Sequence, residues 1–137
     1  MLFLRKPMSK VKLIECPRDA MQGIKTFIPT DEKVKYIQSL LGCGFDTIDF
    51  GSFVSPKAIP QMQDTAEVLA KLDLSRTKSK LLAIVANVRG AQDACEHKAI
   101  DYLGFPFSIS ENFQMRNTHK TIDQSVETLK GILELAD

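Results

Sequence analysis

At 137 residues the chain has about the length of one domain and is long enough to bury roughly two thirds of its unfolded surface in a single core. Apolar residues make up 44% and charged residues 26%, and 18 basic against 17 acidic side chains leave a net charge of +1, so no basic footprint points to nucleic acid or an anionic membrane. The longest apolar runs are about six residues, far below the roughly 20 that span a bilayer, and the start MLFLRKPMSK is too short in its apolar part for a secretory signal.

Apolar runs alternate with amphipathic stretches along the whole chain, and no repeat or linker divides it. The first run, Val11 to Cys16, predicts a strand, followed by a loop that ends Ile28-Pro29-Thr30-Asp31. Val34, Ile37, Leu40 and Leu41 then recur at helical spacing, with Thr30 as the expected N-cap and Gly42 or Gly44 as the stop. A second strand is expected over Phe45 to Phe50, and a helix with Met62, Ala66, Leu69 and Leu72 on one face follows its loop. Lys80 to Ala86 is nearly all apolar, the pattern of a parallel strand covered on both faces. A short helix over Ala91 to His97, a fourth strand over Ile100 to Phe105, a polar loop and a last helix through Ile122, Val126, Leu129 and Leu133 complete the chain. Thr121-Ile122-Asp123-Gln124 has the spacing of a capping box at that helix.

Four strand-helix units joined by right-handed crossovers predict one parallel sheet, either an open α/β sheet or part of a closed (β/α)8 barrel. In both, chemistry belongs at the C-terminal ends of the strands. Arg18 and Asp19 follow the first strand, Asp49 and Ser52 mark the second, Asn87 and Arg89 the third, and Ser108, Ser110 and Glu111 the fourth. Asp49 inside an apolar strand must face the site or pair with a cation such as Arg18, because an unpaired buried carboxylate is costly. Cys16, Cys43 and Cys95 are odd in number and widely spaced, which fits neither a disulfide framework nor a CxxC metal site and reads as a reducing, cytoplasmic compartment. Cys16 is expected as a small buried core thiol, and Met21, Met62 and Met115 as core fillers. His97 and His119 lie 22 residues apart, which does not aim two rings at one metal ion.

CPRDAMQ, GSFVSPKAIPQM and the strand followed by Asn87 resemble the N-terminal half of the 3-hydroxy-3-methylglutaryl-CoA (HMG-CoA) lyase family, whose wider group includes the isopropylmalate and homocitrate synthases. The segment Ser52 to Met62 is the part specific to the lyase branch. The resemblance implies an α/β fold, the (β/α)4 half of a TIM-type barrel, as a single domain over 1–137 that stops after the fourth unit. It implies carbon-carbon cleavage of a 3-hydroxy-acyl-CoA to acetyl-CoA and a keto acid. The alternatives are a non-catalytic acyl-CoA or carboxylate binder and a Claisen-type acyltransferase. Asp19 matches the metal-binding aspartate, a hard oxygen ligand for Mg²⁺ or Mn²⁺, and Arg18 the arginine that stabilises the developing enolate. Gln22 is expected to support that pair, Asp49 to act in catalysis, and Lys25, Ser52 and Asn87 to contact an acyl-CoA substrate. The chain departs from the family at Ala20, where a glycine is usual, at a one-residue deletion before Pro17, and at Asp49, where a glutamate is usual. The lyases' paired metal histidines, last metal-binding asparagine and reactive cysteine belong to the second half. A half-barrel leaves two sheet edges open, so self-association is expected.

Overall fold

The computed structural model describes residues 11–136, so the opening MLFLRKPMSK lies outside the described residues. The elements in chain order are β1 (Ile14–Glu15), α1 (Pro17–Gln22), α2 (Thr30–Leu41), β2 (Thr47–Ser52), a 3-10 turn (Pro60–Met62), α3 (Thr65–Lys71), β3 (Lys80–Ile84), α4 (Val88–Cys95), β4 (Tyr102–Gly104), α5 (Glu111–Thr118) and α6 (Ile122–Ala136). All pairings are parallel and the strand order is β1-β2-β3-β4. A sheet that adds each new strand on the same side, with right-handed crossovers, carries its crossover helices on one face. A doubly wound sheet would reverse direction, so this order is that of a barrel arc, the (β/α)4 half of a TIM-type barrel.

The helix-facing side chains form the core. Ile48 and Phe50 of β2 and Leu81 and Ala83 of β3 pack with Ile37 and Leu41 of α2 and with Val68 and Leu69 of α3. A second cluster joins Val85 to Ala91 and Ala94 of α4 and Ile132 of α6. β3 was expected to be covered on both faces, but only Leu81 and Ala83 are buried within it, while Leu82 and Ile84 on the opposite face are half-buried. The apolar run reflects a face that the described helices do not cover. The open edges are also apolar at the surface: Leu13 just before β1, Ile14 within it, and Tyr102 on β4 are exposed.

Several expected boundaries shift. The first strand shrinks to Ile14–Glu15, because Pro17 takes the N1 position of a helix where a loop was expected. The second strand runs later, Thr47–Ser52, and carries a register irregularity between Asp49 and Gly51. Thr30 does not cap α2. It is the first helical residue, after Pro29, and its hydroxyl donates to Asp64 Oδ2 at 2.8 Å. Gly42 does end that helix, with Gly44 beyond it at φ +82°. The third helix begins earlier, at Val88, and the polar stretch after β4 contains α5, capped by Ser110. The capping box at α6 forms as expected: Gln124 N–H donates to Thr121 Oγ1 at 3.1 Å and Thr121 N–H to Gln124 Oε1 at 3.0 Å. Met21 and Met62 are core residues, but Met115 is exposed.

One close approach fixes the loop after β2 against α4. A side chain at Gly90 would collide with the carbonyl oxygen of Phe53, a backbone atom that cannot turn aside. Gly90→Ala is therefore expected to destabilise the fold by about 1–3 kcal/mol, the usual range for overpacking. Urea denaturation checks this, and an unchanged midpoint would contradict the contact.

Candidate functional site

β1 ends at Glu15, Cys16 is the N-cap of α1 and Pro17 its first residue, so Arg18 and Asp19 sit on the first turn of a helix at the C-terminal end of the sheet. The Arg18 guanidinium crosses to β2. Its Nε donates to both carboxylate oxygens of Asp49, at 3.2 and 3.1 Å, and Nη2 donates to Asp49 Oδ2 at 2.5 Å. Nη1 donates to Asp19 Oδ1 at 3.1 Å and to Gln22 Oε1 at 2.9 Å, and Gln22 Nε2 closes the ring on Asp19 Oδ1 at 2.9 Å. Four residues chosen from sequence thus meet in one network, with Gln22 one helical turn from Arg18, as its spacing requires.

Burial grades the three charged members. Asp49 is 5% exposed, Arg18 15% and Asp19 65%. Burial opposes the charge on Arg18, but the hydrogen bonds and charge of Asp49, with the charge of Asp19 added, outweigh it and push the guanidinium above its ordinary, already high range. A guanidinium has five N–H groups, and the bonds to Asp49, Asp19 and Gln22 use four of them. One Nη2 hydrogen remains for an incoming oxygen. Both Asp49 oxygens accept from Arg18, so Asp49 orients the cation, which is the pairing expected of a carboxylate buried in an apolar strand.

Among the described residues, none of the other expected ones hydrogen-bonds to this network. Ser52 stands at the C-terminal end of the sheet. It is the buried last residue of β2; its hydroxyl donates to the Ile84 carbonyl at 3.2 Å and its N–H to Thr65 Oγ1 at 3.1 Å. Asn87 is the N-cap of α4, and its Oδ1 accepts the Gly90 N–H at 2.8 Å, so at least half of its amide has a structural duty. It lies with Arg89 at a small cavity of about 150 Å³ bordered by Phe53 and Pro56. Lys25 is exposed on the loop between α1 and α2. Cys16 is exposed and not a core thiol. Partial burial and then the charge of Asp49 push its thiol up, so it is not activated as a nucleophile. A groove of about 570 Å³ lies away from this site, between α4, the β4 edge and α6.

A hard divalent cation takes about six oxygen ligands, several of them waters. Asp19 offers one exposed carboxylate, already bonded to Arg18 and Gln22, and the described residues contain no cluster of three or more His, Cys, Asp or Glu able to hold an ion. His97 stacks near Phe53 at 5.4 Å and His119 ends α5 in a left-handed conformation. The described donors do not fit a complete metal site.

Sequence reasoning missed the polar layer beneath α1. Lys33 is 2% exposed, and its Nζ donates to Asp64 Oδ1 at 2.6 Å and to the Gln61 carbonyl at 2.5 Å, 4.0 Å from the centre of the Phe27 ring. A signal was present: Lys33 shares a helical face with Ile37 and Leu41, both buried.

No protein-family model matches the chain. Among curated proteins it is 37% identical over 128 residues to the 3-hydroxy-3-isohexenylglutaryl-CoA/hydroxy-methylglutaryl-CoA lyase of Pseudomonas aeruginosa, which covers 93% of this chain and 42% of that protein. It is 35% identical over 117 residues to the mitochondrial hydroxymethylglutaryl-CoA lyase of Arabidopsis thaliana, covering 85% of this chain and 25% of that protein. The crystal structure of the Pseudomonas aeruginosa hydroxymethylglutaryl-CoA lyase superimposes with a TM-score of 0.84 at 35% identity, over 93% of this chain and 42% of that one. The HMG-CoA lyase of Acinetobacter baumannii in complex with coenzyme A and 3-methylmalate superimposes with a TM-score of 0.83 at 35% identity, over 90% of this chain and 40% of that one. The chain thus spans about two fifths or less of the length of these relatives. The resemblance seen in the sequence holds along nearly the whole chain, and the fold is that of the N-terminal half of an HMG-CoA lyase barrel. Among the described residues no helix is long and apolar enough to cross a membrane.

Proposed function

We propose that this chain is the first four β/α units of an HMG-CoA lyase-like carbon-carbon lyase and forms the Arg18 side of its active site. The observation that carries the reading is the Arg18 guanidinium, locked by Asp49 at the C-terminal end of the sheet with one N–H left over. In a retro-Claisen cleavage the tertiary hydroxyl of a 3-hydroxy-acyl-CoA loses its proton and becomes a carbonyl. The bond between C2 and C3 breaks, its electron pair passes to the acyl-CoA fragment as an enolate, and a proton then converts that enolate to acetyl-CoA. Arg18 holds the oxygen on which negative charge develops, in a geometry that needs no reorganisation. Asp49 orients Arg18, Gln22 and Asp19 hold its other edge, and Lys25 on the neighbouring loop meets the anionic groups of the acyl-CoA.

The proton-accepting and proton-donating groups lie outside the described residues. So do the protein ligands that would join Asp19 around a Mg²⁺ or Mn²⁺ ion. The open β1 and β4 edges are covered by a second half-barrel, carried on the same polypeptide or by a second copy.

The test is an acetyl-CoA release assay with Mg²⁺ or Mn²⁺ on the 137-residue chain and on the chain extended by its in-frame downstream sequence. Cleavage is expected only in the extended protein, and lost in its Arg18→Met variant by about 100-fold or more. Cleavage by the short chain would refute the incomplete-site reading. Tight coenzyme A binding with no cleavage in either form would favour the non-catalytic binder.

A further inference from the structure

Ser52 to Met62 is the stretch that carries the resemblance to the lyases, and the hydrogen bonds of its Gln61 side chain go to the loop after α1 and not to Arg18. Gln61 is 3% exposed and its amide is fully engaged. Its Nε2 donates to the carbonyls of Ile24 at 2.9 Å and Thr26 at 3.0 Å, and its Oε1 accepts the Ile28 N–H at 2.9 Å. One side chain thereby satisfies three backbone groups of a segment that forms no helix or strand of its own. The two clamped carbonyls flank Lys25.

This segment begins where α1 ends. A six-residue helix is far too short to persist by its own hydrogen bonding, so its placement depends on what grips its ends. The start is held by β1 and the buried Pro17. At the other end, the Gly23 and Ile24 N–H groups fold back onto the Met21 carbonyl, and the Ile24 carbonyl goes to Gln61. The residue after Gln61, Met62, joins Met21 of α1 in the main core cluster. Lys33 in turn holds the Gln61 backbone through its carbonyl. The 3-10 turn therefore grips α1 from the core side and from the loop side.

We propose that Gln61 is a positioning residue for Arg18 and Lys25: it sets the end of α1 so that the guanidinium meets Asp49, and it fixes the backbone that carries the Lys25 ammonium. Its functional meaning rests on reading Arg18 and Lys25 as substrate-facing, whereas the clamp itself is tested without that reading. Gln38 supplies a control, because its side chain similarly clamps both backbone groups of Asp73 far along the chain.

The experiment records the Arg18 side-chain Nε–H resonance by NMR in the 15N-labelled chain, for wild type, Gln61→Leu, the milder Gln61→Asn and Gln38→Leu, and titrates each with coenzyme A. In Gln61→Leu the Arg18 Nε–H is expected to exchange with water about tenfold faster or more, as a local opening would allow. Gln61→Asn should lie between, and Gln38→Leu should leave the resonance in place even where it lowers the unfolding midpoint. Coenzyme A affinity should fall about fivefold or more in Gln61→Leu and stay level in Gln38→Leu. Arg18 exchange unchanged in a folded Gln61→Leu, or in Gln61→Asn should the leucine variant not fold, overturns the proposal; so does an equal change in Gln38→Leu. A wild-type chain that does not bind coenzyme A counts against the functional reading alone, since the exchange arm still decides the clamp.

Discussion

Arg18→Met is expected to lower stability by about 3–5 kcal/mol, the usual cost of stranding one member of a buried ion pair. The arithmetic follows from who bonds whom. Among the described residues every side-chain hydrogen bond to Asp49 comes from Arg18, and the carboxylate is 5% exposed. Methionine keeps much of the stem volume and removes all five donors, so the loss reports on charge and not on a cavity. Urea denaturation should show the deficit in full near neutral pH. Arg18→Met/Asp49→Leu should recover most of the loss, because a well-packed apolar pair can replace a buried ion pair at little or no cost. A single variant as stable as wild type would mean that Arg18 contributes nothing to holding β2 and α1 together. That result would separate the network from the fold and leave it with chemistry only.

Asp64→Ala is expected to be comparably damaging, at about 3–5 kcal/mol, although Asp64 lies away from the proposed chemistry. It would leave the Lys33 ammonium, 2% exposed, with the Gln61 carbonyl as its one remaining oxygen partner among the described residues and the Phe27 ring beside it. It would also remove the acceptor of the Thr30 hydroxyl. Lys33→Met in the Asp64→Ala background should restore stability, and the double-mutant cycle measures the coupling. The contrast lies on the surface. Lys71 with Asp31, Lys35 with Glu32 and Lys130 with Glu127 are exposed pairs, and breaking any of them should leave the unfolding midpoint within error, because solvent screens them. If Asp64→Ala behaved like those pairs, the buried layer under α1 would not hold the loop in place, and the Gln61 clamp would lose its support.

The two stability predictions concern one wall of the molecule. Arg18 and Asp49 tie α1 to β2 from above, while Gln61, Lys33 and Asp64 tie the loop after α1 to the segment before α3. Between them sit the side chains that the proposed cleavage uses. A six-residue helix can present a cation reproducibly only if both ties hold, and this is why destabilising variants on this wall are also expected to weaken coenzyme A binding.

Much of the fold was legible because periodicity is a local signal. Apolar runs of strand length alternated with apolar faces of helical spacing, and the Thr121–Gln124 capping box formed as its spacing required. Strand ends were less legible. Pro17 begins a helix where a loop was expected, since proline suits a loop and a first helical turn equally well. Serine and asparagine are similarly ambiguous: Ser52 and Asn87 had the right positions for ligand contacts, and the structure uses Ser52 to join strands and Asn87 to cap a helix.

The sequence by itself determined four β/α units, their chain order, and the placement of Arg18, Asp19 and Asp49 at strand ends. It did so because hydrophobic period and strand-end chemistry are written in neighbouring residues. Only the tertiary structure decided that the sheet runs β1-β2-β3-β4 without reversal, that Arg18 spends three of its bonds on Asp49, and that Lys33 and Gln61 are buried anchors. Those outcomes depend on residues about 30 positions apart meeting across a strand or a loop. No window along the chain records which partner a buried polar group will find; the packing that removes water from both makes the choice.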